Sequence, residues 1–585
     1  MKDNMLSTIL IVVIVAGLII LLNIFGKNSG GCQMGNQQQV SSPAENVQLT
    51  ESKNLLKPLV VENSKMKARI MSWDSYYGFR IDQVELKNFK MNKTASTTEQ
   101  VPVHLLEATR FFDSTGRYLG TWDDDIEASI PEGARFKAAV HAGFEVSPSD
   151  SATLARDFGR LETIVTNDST VALVWTDSLG AVQRVELTLD GYEFKINASD
   201  TLAGFKFFCE DGIKLTEPMD KSEVTLHQIY YRPAGKNPEW FNIGGARKIV
   251  EGKKEIVQGP YEWIAIRGKY FSTIVIPDRP VNAGIAPVAR PDQRIGLEFG
   301  VSDAGSFRLY FGPLDYKALS KMGHRLGRIV ELGGITYRWL SIGMLEIFEF
   351  LYRIIRNYGA AIIIFALLIK LVFLPLSRSQ QRSMQKMQML QPKLKELQER
   401  FKDDPKRLNE ETMRMYRDHK ASPLGGCLPL LIQMPVFFGL YAVLRTAVSL
   451  RGAAFVNLFT IHINKPFDFL FIHIPTGNLT WLTDLSQRDP FFILPVLMSV
   501  ASIFQSLLSN VDPRQRTTAI IFPIVIAFVF LNFPSGLQLY WLVFNLLSLL
   551  EYWIFRRGAQ GGVQWQSKKP ETTPSATSLQ KSSRR

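Results

Sequence analysis

Cysteine is nearly missing from this chain. Cys32, Cys209 and Cys427 are the only three in 585 residues, too few and too scattered for a disulfide framework or a zinc site. The seven histidines are no better grouped: His104, His141 and His227 stand alone, with no ligand spacing around them. No His-Glu-x-x-His, Gly-x-Ser-x-Gly or Walker A sequence occurs, and Gly244-Gly-Ala-Arg-Lys-Ile-Val-Glu-Gly252-Lys253 has the wrong spacing for a phosphate loop. These absences leave no metal, no cofactor and no catalytic motif to read, so the sequence gives no reason to expect an enzyme. Long apolar runs are missing from about 26 to 335 and abundant after 357, so a mean hydropathy of +0.01 averages a polar part and a membrane part.

What is present begins with a lone cation. Lys370 sits inside Ala360-Ala-Ile-Ile-Ile-Phe-Ala-Leu-Leu-Ile-Lys-Leu-Val-Phe-Leu-Pro375. A charge near a bilayer centre costs roughly 3 kcal/mol or more. It has to snorkel, find a partner, or line a wet cavity. Leu376 closes the run, so Lys370 lies roughly 9 Å from that end at about 1.5 Å per residue, within snorkelling reach of the headgroups.

Five apolar spans are expected, at 357–376, 425–446, 491–509, 517–534 and 536–555. The connection 377–424 carries Arg378, Arg382, Lys386, Lys393, Lys395, Arg400, Lys402, Lys406, Arg407, Arg414, Arg417 and Lys420, whereas 447–490 carries only Arg451, Lys465 and Arg488. The net charge of +12 therefore collects beside apolar runs. It is a topological signal, with 377–424 and the basic tail 556–585 cytoplasmic; it does not suggest a sequence-specific nucleic-acid face. The N-terminus opens on an apolar stretch within 1–25, read as an anchor; a cleaved signal, with Ser29-Gly-Gly-Cys32 as a lipoprotein-like site, is the competing reading. A Gly-, Ser- and Gln-rich linker follows over 26–57. Counting back through the spans places the N-terminus inside and 58–335 outside.

The segment 58–335 reads as all-β. Val171–Thr176, the alternating Ala181–Leu189, the turn Asp190-Gly191 and Tyr192–Asn197 form a run of hairpins; Lys67–Ser72 and Gly296–Val301 alternate likewise. Many short strands at this spacing suggest a large sandwich. In 337–356, Met344, Ile347, Phe348, Leu351, Ile354 and Ile355 share one helical face, as in a helix lying at a membrane interface. In 377–424, Met384, Met387, Leu390, Leu394, Leu397 and Phe401 recur at helical spacing. Asp403-Asp-Pro405 interrupts them, and Leu408, Thr412, Met415 and Tyr416 resume, which predicts a helical hairpin. Its methionines are either a packing seam or an adaptable apolar surface. Gln433, Gln505, Ser506, Gln538, Trp541, Asn545 and Ser548 are polar or amphipathic residues at membrane depth, explained by hydrogen bonding between helices or by a wet interior.

Four stretches carry a family resemblance: Leu390-Gln-Pro-Lys393, Ala421-Ser-Pro-Leu-Gly-Gly-Cys-Leu-Pro-Leu-Leu-Ile-Gln-Met-Pro435, Leu482-Thr-Asp-Leu-Ser-Gln-Arg-Asp-Pro-Phe-Phe-Ile-Leu-Pro495 and Phe533-Pro-Ser-Gly-Leu-Gln-Leu-Tyr-Trp541. Over about 337–558 the chain resembles the YidC-type membrane protein insertases of the Oxa/Alb family, in the Gram-negative form with a large periplasmic β domain. The resemblance implies a multi-pass helical protein of the bacterial inner membrane: an N-terminal anchor, a five-helix core, a periplasmic sandwich and a cytoplasmic hairpin. It also implies a hydrophilic groove open to cytoplasm and lipid, working without nucleotide. Lys370 stands where that family usually has Arg, keeping the charge and losing the planar fork; Ala366 stands where a hydroxyl is common. Gln433, Gln505, Gln538, Tyr540, Trp541 and Asn545 become candidate groove or client contacts, and Met384, Met387 and Met415 candidates for client reception. Implied partners are nascent membrane proteins, the Sec translocon, the ribosome and the lipid bilayer, with no cofactor. The rival readings are a solute channel or transporter and a membrane-anchored periplasmic sugar-active enzyme.

Overall fold

The computed structural model describes most of residues 59–560. The chain before Leu49, the stretches 91–101, 122–136, 149–159, 420–427 and 510–515, several shorter loops and the chain after Gln560 lie outside the described residues. The N-terminal anchor, most of the linker, the Pro423–Cys427 part of the family motif and nearly all of the basic tail therefore fall outside it. At the end of the stretch read as linker, Leu49–Glu51 is a strand paired with Lys137–Ala139.

Seventeen strands join in one antiparallel sheet system. The expected hairpins are there: Thr170–Thr176 pairs with Val182–Asp190, which pairs with Glu193–Ala198 across the Asp190-Gly191 turn. Gly191 holds φ +64°, which a side chain would resist. Phe194 and Ile196 point inward and Lys195 outward, the period of two read from the sequence. The sheet folds over so that two runs of strands face each other. Phe207 on one packs edge-on against Phe307 on the other at 4.8 Å. One core holds Met66, Ile70, Phe79 and Ile81 together with Leu173, Leu187, Phe194 and Leu309.

Two central strands do not alternate. Phe271–Pro277 is buried at every position and Pro260–Arg267 at nearly all. A strand buried on both faces reads as a continuous apolar run. Ile264, Ile266, Phe271 and Val275 face the sandwich core. Trp263, Ala265, Ile274 and Ile276 face a second core that continues through Leu314, Leu319, Leu326, Ile329 and Leu332 into the helices. The division drawn at 335 is thus one of composition; the hydrophobic interior crosses it.

Among the described residues after 335, seven α-helices follow, with short strand pairs between the fourth and fifth: α1 (Arg338–Ile355), α2 (Tyr358–Arg400), α3 (Pro405–Asp418), α4 (Leu428–Thr446), α5 (Ile493–Ser509), α6 (Arg516–Phe530) and α7 (Ser535–Gln560). By length and composition, the Tyr358–Ser383 part of α2 and Ser535–Ile554 of α7 can each cross a membrane; α5 and α6 are shorter apolar helices. The first span and the first arm of the hairpin, read as separate pieces, are one helix of 43 residues that runs through Pro375 and Pro392. Each proline removes one backbone hydrogen bond, yet the helix continues. The hairpin closes as expected: Asp404 caps α3 by accepting from the Arg407 amide at 3.1 Å, Pro405 occupies its first turn, and Leu390 packs with Met415, Leu394, Leu397 and Tyr416.

Helix α1 has two apolar faces. Ser341, Met344, Leu345, Phe348 and Leu351 are buried; Gly439 of α4 faces Ser341 and Met344 so closely that a methyl group there would crowd them. Ile347, Phe350 and Ile354 are exposed. One face is set on the bundle and the other is exposed, so the apolar residues read as a single interfacial stripe divide between packing and surface.

A polar junction holds the sandwich to the helices. Arg267, fully buried, donates to Gln228 Oε1 at 2.8 Å and to Glu331 Oε2 at 2.9 Å. Thr446 Oγ1 at the end of α4 donates to the Glu331 carbonyl at 2.9 Å, and the Tyr270 hydroxyl donates to Ser486 Oγ at 3.0 Å. Burial acts to raise the Glu331 carboxyl, but Arg267, with help from Arg445 and Arg338, outweighs it and holds the group below the usual range.

Two outcomes follow from this junction. Trp263→Ala should lower stability by about 3–5 kcal/mol and, unlike Leu187→Ala in the sandwich core, should open 316–337 to limited proteolysis. Because the folded pKa of Glu331 is lowered, its contribution is present above the unfolded carboxylate value and lost as pH falls through the folded one. Thermal unfolding followed from about pH 6 to below about pH 4 should show a decline that Glu331→Gln flattens.

Candidate functional site: a buried polar seam along the last helix

Helix α7 lies against α2, α4 and α5 and carries polar groups on its inner side. Gln538, Asn545, Ser548 and Glu551 are all buried. Their spacings of seven, three and three keep them on one helical face. Buried polar groups require partners, and most of these find theirs on another element.

Lys370 of α2 is the centre of the seam. It is buried, with 7% of its surface exposed. Its Nζ donates to Ser548 Oγ at 2.7 Å, pairs with Glu551 Oε2 at 2.8 Å and sits 4.8 Å from the centre of the Phe544 ring. A hydroxyl, a carboxylate and an aromatic face therefore surround the ammonium, all three from α7. Of the options the sequence left open, this conformation takes the partner, and the side chain does not snorkel. Glu551 is not among the residues that the sequence singles out, because it stands near the end of the apolar run 536–555, where a charge is ordinary. The signal was nonetheless there: an acid between Leu549-Leu550 and Tyr552-Trp553, as isolated as Lys370 itself.

The other candidates divide. Asn545 Nδ2 donates to Ser502 Oγ of α5 at 2.7 Å. Gln433 Nε2 of α4 donates to the Tyr540 hydroxyl at 3.0 Å, and Tyr540 is fully buried. Gln538 is also fully buried, and its amide donates to the carbonyls of Phe530 and Phe533 at 2.8 and 2.9 Å, tying down the turn between α6 and α7. Tyr540 and Gln538 thus present no atom to a client in this conformation. Trp541 packs against Phe437 and Phe530 and is half-buried, as is Gln505. Met415 is buried in the hairpin seam; the side chains of Met384 and Met387 lie outside the described residues.

One end of the bundle is closed by two of the motif stretches, which are far apart in sequence. Ser535 and Gly536 amides donate to the carbonyls of Gln487 and Leu485 at 2.6 and 2.9 Å. Leu482, Leu485, Leu537, Ile362 and Leu444 are buried there together. Asp489 starts α5, accepting from the Leu494 and Phe491 amides at 2.7 and 3.0 Å and from Trp481 Nε1 at 3.1 Å. Gly536 has to be glycine, because a Cβ would lie 3.0 Å from the Leu485 carbonyl oxygen. Lys370, eight residues along α2 from Ile362, lies about 12 Å from this plug at 1.5 Å rise. Beyond it an open cleft of about 390 Å³ is lined by Leu371, Leu374, Pro375, Arg378, Ser379 and Arg382.

A model described as the YidC periplasmic domain matches residues 159–346, and one described as the 60Kd inner membrane protein matches 350–561. Taken together, the two matches make the chain similar to the YidC family across both its β part and its helices. Membrane protein insertase YidC of Nitratidesulfovibrio vulgaris (strain DP4) is 35% identical over 349 residues, 58% of this chain and 61% of the relative. The YidC of Syntrophus aciditrophicus (strain SB) is 35% identical over 363 residues, 58% of this chain and 62% of the relative. That of Citrifermentans bemidjiense is 37% identical over 302 residues, 49% and 51%. The chain thus spans between half and two thirds of these YidC proteins. A crystal structure described as an active YidC insertase with its first transmembrane domain resolved aligns with 92% of this chain and 98% of its own. Its identity of 17% and TM-score of 0.35 are too slight to place any element.

Removing one partner of a buried ion pair leaves the other uncompensated, at a cost of about 3–5 kcal/mol, whereas replacing both with apolar groups is often close to neutral. Lys370→Met should therefore lower the melting temperature in detergent, and adding Glu551→Leu should restore most of it. Additive losses would mean that the two groups do not depend on each other.

Proposed function

We propose that this chain is a membrane protein insertase of the inner membrane and is not an enzyme. The observation that carries the reading is Lys370, a cation held inside an apolar bundle beside a polar cleft. In this reading the polar tail of a client enters the groove without crossing lipid directly. Lys370 attracts acidic residues of that tail, because attraction in a partly dehydrated site exceeds that in water. The client's apolar segment then moves into lipid beside α4 and α7, driven by burial of its own surface. No nucleotide is required. Asn545, Gln433, Gln505 and Trp541 set the polarity and shape of the interior, while Gln538 and Tyr540 hold α7 in place. The hairpin of α2 and α3, with Met384, Met387 and Met415, receives clients on the cytoplasmic side. The Sec translocon and the ribosome are the partners this arrangement would serve.

Support comes from the names of the relatives, from the distribution of Lys and Arg, and from the outward apolar surfaces at Leu371, Val372, Val496, Phe504, Phe528 and Trp553, which suit lipid. In the proposed topology both termini and the hairpin are cytoplasmic and the sandwich is periplasmic.

In a variant without its native cysteines, Lys195→Cys should label from the periplasm and Asp404→Cys only from the cytoplasm. Proteoliposomes of the purified chain should insert a single-span client without nucleotide, at a rate well above empty liposomes. Periplasmic labelling of position 404 would overturn the orientation, and insertion no faster than into empty liposomes would overturn the activity.

A further inference from the structure

The ammonium that an acidic client tail would seek is already taken in this conformation. Glu551 holds it at 2.8 Å, Ser548 at 2.7 Å, and the Phe544 ring lies beneath it. A lysine has three N–H donors, and these three neighbours account for the surroundings of all of them. Glu551 is less well served. It is 7% exposed, and its second oxygen, Oε1, is buried with no hydrogen-bond partner. An unmet buried acceptor carries a desolvation penalty, so this pair is complete for the lysine and incomplete for the acid.

We propose that Glu551 is a resident stand-in for the client's carboxylate, and that a client tail is admitted by exchange: an acidic side chain takes Glu551's place on Lys370. The proposal rests on the insertase reading and deepens it, because it assigns a specificity role to a residue of α7. Exchange of one carboxylate for another keeps an anion on Lys370, so the cation is not left bare in the interior, and the displaced Glu551 carboxylate takes up a proton as the client's acid arrives, which keeps the net charge of the site constant. The cleft supplies a route. Arg378 and Arg382 line it and lie eight and twelve residues beyond Lys370, about 80° and 120° around α2 from it at 3.6 residues per turn. A carboxylate moving along that cleft stays in a positive field up to the exchange point. The pair also joins α2 to α7, so exchange removes one bond between the helices at the moment a client arrives. A neutral tail has no group to offer the ammonium and has to compete with a resident charge.

The test uses the full chain in nanodiscs and two fluorescent peptides, each one apolar span with a short tail, identical except that one tail carries two Glu where the other carries two Gln. Glu551→Gln, which keeps an oxygen for Lys370 and removes the competing charge, should tighten binding of the Glu-tailed peptide by about tenfold or more and leave the Gln-tailed peptide within about twofold. Glu551→Asp, which keeps the charge on a shorter arm, should fall between wild type and Gln, and it serves if Gln lowers the melting temperature too far. Equal affinity of the Glu-tailed peptide for wild type and both variants, or equal tightening of both peptides, would overturn the exchange. Insertion into proteoliposomes is measured in parallel. Exchange without insertion would overturn the insertase reading alone, and insertion without a change in peptide preference would overturn the exchange alone.

Discussion

Polar atoms inside an apolar bundle have to be answered from within it, and here the last helix does most of the answering. Helix α7 meets α2 through Lys370, Ser548 and Glu551, α5 through Asn545 and Ser502, and α4 through Tyr540 and Gln433. Each is a directed contact of about 3 Å in surroundings where lipid tails offer no hydrophobic force between helices. The apolar surfaces of α5 and α6 hold little positional information of their own. The hydrogen bonds and the ion pair settle which side of each helix faces in. Lys370 both joins α2 to α7 and is the group proposed to meet a client, so stability and access to the groove are coupled.

The sandwich is bound to this arrangement by a second, dry constraint. Strands 260–267 and 271–277 are covered on both faces, one by the sandwich core and one by the segment 314–332 and the helices. Removing about 25 cal/mol per Å² of apolar surface from water on both sides of one sheet makes the β domain and the bundle energetically continuous. Arg267, Glu331 and Thr446 then fix the angle of that contact. The plug formed by 482–495 and 533–541 sits at the same junction, through Tyr270 and Ser486. The closed end of the bundle and the docked sandwich are therefore parts of one rigid region, and the polar cleft opens away from it.

Much of this was legible from patterns of period and charge. Alternation in 182–197 and the Asp190-Gly191 turn foretold the hairpins, because a strand exposed on one face has to alternate. The heptad-like run from Leu390 to Leu397 and the Asp404-Pro405 break foretold the helical hairpin of α2 and α3, because capping and proline chemistry act locally. Lys370 announced itself as a charge in an apolar run. The apolar run closed by Leu376 does not mark the end of α2, which continues to Arg400 through Pro375 and Pro392, since a proline's lost hydrogen bond is small beside the packing of a long helix.

Sequence by itself determined the elements, the division into polar and apolar parts, and the existence of a cation needing an explanation, because propensity, turn chemistry and hydropathy are properties of short stretches. Only the tertiary structure decided what that cation meets. Lys370 and Glu551 are separated by 181 positions, and nothing local links them. Their pairing depends on which face α7 turns to α2, which is set by Asn545, Tyr540 and the plug at Gly536. The same holds for Trp263 and Ile274: their strands read as apolar in sequence, but only the approach of the helices shows that the second face is covered. Long-range contact of this kind is a property of the assembled packing, and a side chain's role there is defined by its neighbour rather than by its own chemistry alone.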